Sequence, residues 1–307
     1  MVTPSPLRNV SATARPAAYL AALAAIFGGA LAVGSAVGDG GGDPRPADHA
    51  ASDEGMGGMA DERHGEHDAA PADAPAAHGL GVAENGLRLV APTTVRPGVS
   101  KRFAFRVVDG HGATVRDFAT EHTKRLHLIA VRRDLTGFQH LHPHQDGDGV
   151  WSTDLTLRDA GAYRVFADFR PADGTATTLA SDVLVGGRFA PRALPAPASV
   201  TRVDGYDIAL RADGATAGRE ATLTYTVRRD GRPVAVQPYL GASGHLVALR
   251  EGDLAYLHVH PLKGGAAAGH IAFAATYPSA GRYRLFLQFR HAGRVHTAAL
   301  TQEVSPA

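Results

Sequence analysis

Leu126 to Pro143 reads LHLIAVRRDLTGFQHLHP, and Gly244 to Pro261 reads GHLVALREGDLAYLHVHP. The second stretch lies 118 positions after the first, and two further pairs of segments keep nearly that spacing. GAYRVFADFR from Gly161 answers to GRYRLFLQFR from Gly281, and GVSKRFAFRVVDGHGATV from Gly98 answers to GREATLTYTVRRDGRPVAV from Gly218. A register that survives over about a hundred residues with only small insertions is a domain duplication.

Within each copy the apolar residues alternate: Phe103, Phe105, Val107; Leu126, Leu128, Ala130; Tyr163, Val165, Ala167. A period of two means half-buried strands, and the punctuation between runs is turn chemistry: Asp109-Gly110, Asp146-Gly147-Asp148-Gly149, Asp230-Gly231, Gly264-Gly265. About seven short strands per copy predict an all-β chain of two tandem β-sandwich domains, immunoglobulin-like or cupredoxin-like; periodicity leaves the two topologies open. The expected boundaries are repeat 1 at 85–189, a Pro-rich linker at 190–200 and repeat 2 at 201–307.

Ahead of the repeats, residues 17–37 are almost wholly apolar, with Arg8 and Arg15 before them and acids from Asp39 onward. That length suits one bilayer crossing, and the charge asymmetry puts residues 1–16 in the cytoplasm and the C-terminal bulk outside. The expectation is a single-pass cell-membrane protein, or a secreted one if the segment is cleaved as a signal peptide near Gly34-Ser35-Ala36. Residues 38–84 are low-complexity Gly, Ala, Pro, Asp and His, poor in large apolar side chains, and read as a disordered acidic tether. Between Asp39 and Glu84 eleven acids face only Arg45 and Arg63, so the near-neutral total charge hides an acidic linker and a mildly basic remainder, with no nucleic-acid footprint.

No cysteine occurs, which excludes disulfides, thiolate metal sites and cysteine nucleophiles. Any metal must use His, Met or carboxylate. Three histidine positions recur in both copies: His127, His140 and His142, then His245, His258 and His260. Residues two apart on a strand share a face, and a hairpin turning at Asp134 to Gly137 sets His127 opposite His142 with His140 diagonally near. Copy two predicts the same triad from His245, His258 and His260. Three imidazoles poised at a surface form the open site that Zn²⁺ or Cu²⁺ accepts. The same residues also suit a structural role, with imidazoles hydrogen-bonded to backbone at a strand end. In the linker, Met56 and Met59 beside His64 and His67 offer soft donors for Cu(I). His144 reads as solvated or accessory, and His270, His291 and His296, unmatched between copies, read as surface residues.

The quoted HLHP and HVHP stretches, with GAYRVFADF, resemble a group of exported bacterial proteins from GC-rich organisms associated with heavy-metal, particularly copper, handling. The resemblance spans residues 86–304, carries over onto the six repeated histidines, and implies metal handling without assigning an activity. The leading expectation is a non-catalytic copper- or zinc-binding protein tethered outside the membrane. The alternatives are a cell-surface interaction or adhesion module with structural His, and a three-His metalloenzyme. Asp168 lies in copy one, but its counterpart in copy two is Gln288, so no acid is repeated with the histidines. Neither a phosphate-binding Gly loop, a nucleophile elbow nor a helical HExxH motif is present.

Overall fold

The computed structural model describes residues 77–307, residues 258 and 265 excepted. The apolar segment 17–37 and the linker motifs Met56, Met59, His64 and His67 lie outside the described residues. Among the described residues no helix is long and apolar enough to cross a membrane.

The first repeat runs β1 (Ala83–Glu84), β2 (Leu87–Val90), β3 (Thr94–Val95), β4 (Lys101–Val108), β5 (Leu126–Arg132), β6 (Gln139–Leu141), β7 (His144–Gln145), β8 (Trp151–Leu155), β9 (Gly161–Phe169) and β10 (Thr177–Val185). The second runs β11 (Val200–Val203), β12 (Tyr206–Asp213), β13 (Glu220–Arg229), β14 (Arg232–Pro233), β15 (His245–Arg250), β16 (Tyr256–Leu257), β17 (Val259–Pro261), β18 (His270–Thr276), β19 (Gly281–His291) and β20 (Arg294–Val304). Repeat 1 forms sheets β1-β2-β4-β8-β7 and β3-β10-β9-β5-β6; repeat 2 forms β11-β12-β13-β18-β17, with β14 beside β13, and β16-β15-β19-β20. Each copy thus has the two-sheet strand order of an immunoglobulin-like sandwich.

A second mark of that fold recurs in both copies. The Tyr163 hydroxyl donates to the Asp159 carbonyl at 3.1 Å, and the Tyr283 hydroxyl to the Ser279 carbonyl at 2.9 Å. Each buried ring thereby pins the corner ahead of its strand by a bond to the backbone four residues back, the tyrosine corner of immunoglobulin-type sandwiches.

Alternation explains the two cores. Phe103, Phe105, Val107, Leu126, Leu128, Ala130, Tyr163 and Val165 fill repeat 1, and Leu223, Tyr225, Leu246, Phe273, Tyr283, Leu285 and Leu287 fill repeat 2. The opposite face of β5 is apolar too: all seven of its residues are buried, because Ile129 and Val131 enter a third core. That core is shared between the repeats, joining Ile129, Val131, Leu135 and Phe166 to Val247, Leu249, Leu254, Tyr256 and Phe286. Its pairs are related by the duplication. Phe138 stacks on Phe286 at 4.1 Å, and the equivalent Tyr256 meets the equivalent Phe166 at 5.6 Å. At roughly 1.5–3 kcal/mol for each large side chain removed from water, this seam fixes the two sandwiches as one compact unit.

The connecting chain is fastened as well. In the stretch 190–200, the Arg192 amide donates to Asp134 Oδ2 at 2.9 Å and the Ala198 amide to the Thr301 carbonyl at 3.0 Å. Order also begins before residue 85: the Tyr256 amide donates to the His78 carbonyl at 2.9 Å, and Arg164 holds the carbonyls of Gly79 and Leu80. Residues 78–80 thus cross the seam from one repeat to the other.

Candidate metal centre at the seam

The hairpin that carries the histidines is set by its turn. Arg132 and Asp134 form a buried ion pair at 2.6 Å, while Asp134 also accepts from the Thr136 hydroxyl at 2.7 Å. Burial opposes the Asp134 charge, but these bonds and the Arg192 amide hold its carboxyl down at about 2. The turn repeats in copy two with one extra residue, Gly252, between Arg250 and Asp253; Leu135 and Leu254, both buried, take φ of +62° in it. A left-handed Leu is strained, and the seam core that receives both side chains is what holds them.

From that turn the ladder pairs Leu128 with Leu141 and Ile129 with His140. One step further sets His142 opposite His127. Paired residues share a face, so all three imidazoles lie on the face of Ile129 and Val131, the seam face. Their ligand nitrogens lie within 4.8 Å of one another. The surface placement expected from sequence is corrected: His127 is 3% exposed, and His140 and His142 are half-buried.

The outer contacts constrain the tautomers. His127 Nε2 lies 3.2 Å from the Glu121 carbonyl, which can only accept, so this nitrogen carries the hydrogen. Gln288, from the second repeat, donates through Nε2 to Thr297 Oγ1 at 3.2 Å, and its Oε1 accepts from His140 Nδ1 at 2.6 Å. With those assignments His127 Nδ1 and His140 Nε2 face each other at 3.0 Å as two lone pairs. His142 Nε2 is buried with no partner.

All these imidazoles are held neutral. Burial, then the neighbouring imidazoles, push His140 down to about 3; burial, His127 and Lys124 push His142 down to about 4. Burial also lowers His127, against the opposing pull of the Asp168 carboxylate, and burial with the surrounding rings drives His245 well down. Neutral imidazole is the form that ligates a metal.

Of the second copy's three histidines, the backbones of His245 and His260 lie in different sheets. His245 leads β15, pairs with Gln288 on β19, and joins the first copy's cluster: its ring lies 5.5 Å from that of His127 and 4.6 Å from that of His140. The backbone of His260 instead pairs with Ala274 in the other sheet, because the chain leaves β16 at Leu257 and crosses to β17 sooner than its counterpart in repeat 1. His258 lies outside the described residues. Three participants escaped the sequence reading. His122, Glu121 and Gln288 form no pattern that recurs between the two copies, and His122 has no histidine at the equivalent place in copy two. It sits at φ +48° beside Thr123 at +68°, its ring 6.2 Å from His127 and 5.9 Å from His245.

The other histidines divide. His144 and His270 are exposed, and His291 accepts or donates with the Tyr206 hydroxyl at 2.7 Å. His296, expected at the surface, is buried against Tyr206 and Phe289 with Nδ1 2.8 Å from Asp204 Oδ2. Tyr163, Tyr283, Phe169 and Phe289 are core, and Arg170 pairs with Glu121 at 2.7 Å.

The duplication agrees with comparison to known families. A domain of unknown function, DUF8832, matches residues 82–187 and again residues 201–306. The chain belongs to the DUF8832 family. Both DUF8832 copies contribute side chains to the cluster, the first three imidazoles and the second His245 and Gln288. No curated protein matches the chain. Similar solved structures include a DUF4426 family protein from Pseudomonas aeruginosa, 11% identical, covering 35% of this chain and 97% of that one at a TM-score of 0.27. The Yersinia pseudotuberculosis adhesin InvE is 13% identical, covering 71% and 59% at 0.21. A putative membrane-anchored protein from Corynebacterium diphtheriae is 9% identical, covering 72% and 59% at 0.23.

Proposed function

We propose that this DUF8832 protein binds a borderline divalent ion, copper or zinc, at the seam between its two sandwiches, through His127 Nδ1, His140 Nε2 and His142 Nε2. The observation that carries the reading is the convergence of three imidazole nitrogens within 4.8 Å, one of them buried without a partner. An ion placed among them, at about 2.0–2.1 Å from each nitrogen, would turn facing lone pairs from repulsive to bonding. The Glu121 carbonyl and Gln288 would serve as the outer contacts that orient metal-bound imidazoles. The site is proposed to hold its ion without catalysis. In support, the carboxylate of Asp168, which pairs with His127 across the ladder, is engaged elsewhere: it accepts from the Thr178 hydroxyl at 2.9 Å and faces the Tyr256 hydroxyl at 3.5 Å. Export and membrane tethering remain part of the proposal, supported by the apolar segment 17–37 and its charge asymmetry.

A second reading, a tandem-sandwich interaction module with a structural cluster, is favoured by the hydrogen bonds themselves. With the Gln288 amide turned over, Gln288, His140, His127 and the Glu121 carbonyl make a satisfied chain of neutral groups needing no ion. Metal titration of the chain and of His140→Ala separates the two readings. Binding that vanishes with His140 supports the metal site. An equal and negligible uptake by both chains leaves the structural cluster.

A further inference from the structure

We propose that His245, from the second repeat, is the fourth ligand of this ion, making the site a closed four-imidazole cage that both repeats must build. The inference rests on the metal reading above and goes further: it decides whether the site is open to water or sealed, and which repeats own it.

Ring spacing is the first observation. Within the triad the centroids lie 5.2, 5.1 and 4.7 Å apart, and His245 lies 5.5 Å from His127 and 4.6 Å from His140. Four imidazoles bound tetrahedrally at about 2.0–2.1 Å per bond have centroids about 5 Å apart. His245 therefore already stands at ligand distance from two of the three. Its buried Nδ1 has no hydrogen-bond partner. An unpartnered buried nitrogen beside a cluster of others is costly as hydrogen-bonding chemistry and useful as ligand chemistry.

The backbone holds His245 there. It pairs with Gln288, the residue whose amide contacts His140, and follows Gly244. A Cβ at Gly244 would stand 2.9 Å from the Gln288 carbonyl and 3.0 Å from Ile271, so only glycine lets β15 begin this close to β19. The His245 ring is within 13° of parallel with His127, and ligation requires it to turn about its side-chain torsions while the strand stays in place. His127 and His245 are the same position of the duplicated domain, so the duplication supplies the extra ligand by bringing one position of each copy to the seam. A tetrahedral cage with four nitrogen ligands and no open position suits Zn²⁺ or Co²⁺ held for storage or structure, and leaves no bound water to activate.

The test uses Co²⁺ as probe on the full chain, read by its visible absorption and by addition of azide, which enters only an open coordination position. The expected result is an intense tetrahedral band in the parent that azide leaves unchanged. His245→Ala should lose at least ten-fold in Co²⁺ affinity, and its band should become azide-sensitive. An azide-sensitive parent, with His245→Ala binding as tightly, overturns the cage while leaving the three-imidazole site standing. A parent that takes up no more Co²⁺ than His140→Ala overturns both. Metal-free melts of His245→Ala and His245→Gln check folding, and should neither fold, the azide response of the parent decides alone.

Discussion

His127 and His245 lie 118 positions apart in the chain, yet their rings stack at 5.5 Å with planes 13° apart. They occupy the same place in the two copies of the domain, so the stack marks where the duplicated domain meets itself. Around it the seam is built from equivalent pairs: Phe138 on Phe286, Tyr256 on Phe166, Leu135 and Leu254 in one shared core. The two sandwiches behave as a dimer fused into one chain, with the candidate site at its centre.

If the seam is a true core, emptying it should uncouple the repeats. Phe286→Ala removes the ring that stacks on Phe138 and should cost about 3–5 kcal/mol. Calorimetry is expected to show one transition for the parent and two for the variant. Two transitions in the parent would mean that the repeats fold without each other.

Much of the architecture was legible because alternation and the repeat are written in the residues. Leu126, Leu128 and Ala130 point into the repeat core as their period demands. The seam was less legible. The unbroken apolar run Leu128–Val131 is the signature of a strand buried on both faces, but a triad on the second face, with only His127 and polar neighbours in view, read as a surface. Nor could spacing reveal that His245 crosses to the first copy's site. That depends on the packing of β15 against repeat 1, and on the chain leaving β16 at Leu257 for the other sheet. Gln288 was seen only as the missing counterpart of an acid, because its contact with His140 is long-range.

Acid should destabilise the metal-free protein in a defined window. His140 is held at about 3 and His142 at about 4, against roughly 6.5 in the unfolded chain. Both are depressed, so the unfolded state binds more protons as pH falls. Stability is full above about pH 6.5 and falls from there toward pH 4, by up to about 1.4 kcal/mol per pH unit from His140 alone. Denaturant melts at pH 7.5, 6 and 5 measure it. The same depression means that a bound ion is released below the pH 6.5 of a free imidazole. A stability profile flat across this range would show that these imidazoles take up protons in the folded protein as readily as in the unfolded chain.

The tyrosine corner gives a smaller, cleaner number. Tyr283→Phe keeps the buried ring and removes only the hydroxyl that donates to the Ser279 carbonyl at 2.9 Å. The expected loss is about 0.5–1.5 kcal/mol with the fold and seam unchanged, measured by equilibrium unfolding.

Gln288 offers the sharpest division between the two readings of the cluster. As oriented, its Oε1 accepts the His140 Nδ1 hydrogen and leaves Nε2 free for a metal. Gln288→Glu strengthens that acceptor, and the fold already carries an acid at the equivalent position, Asp168 of repeat 1. The metal reading therefore expects Gln288→Glu to bind Zn²⁺ or Cu²⁺ at least as tightly as the parent, since a carboxylate behind an imidazole makes it a better ligand. Gln288→Leu removes the acceptor and should weaken binding about 10–100-fold. The structural reading needs the amide turned over, donating its hydrogen to His140. A carboxylate cannot donate, so Gln288→Glu and Gln288→Leu would then both destabilise the metal-free protein by about 1–3 kcal/mol, and added metal would not shift either melt. Metal affinities and metal-free melts of the three proteins, run at pH 7.5, decide between them: tight binding by Gln288→Glu that Gln288→Leu loses is an outcome only an ion-holding cluster produces.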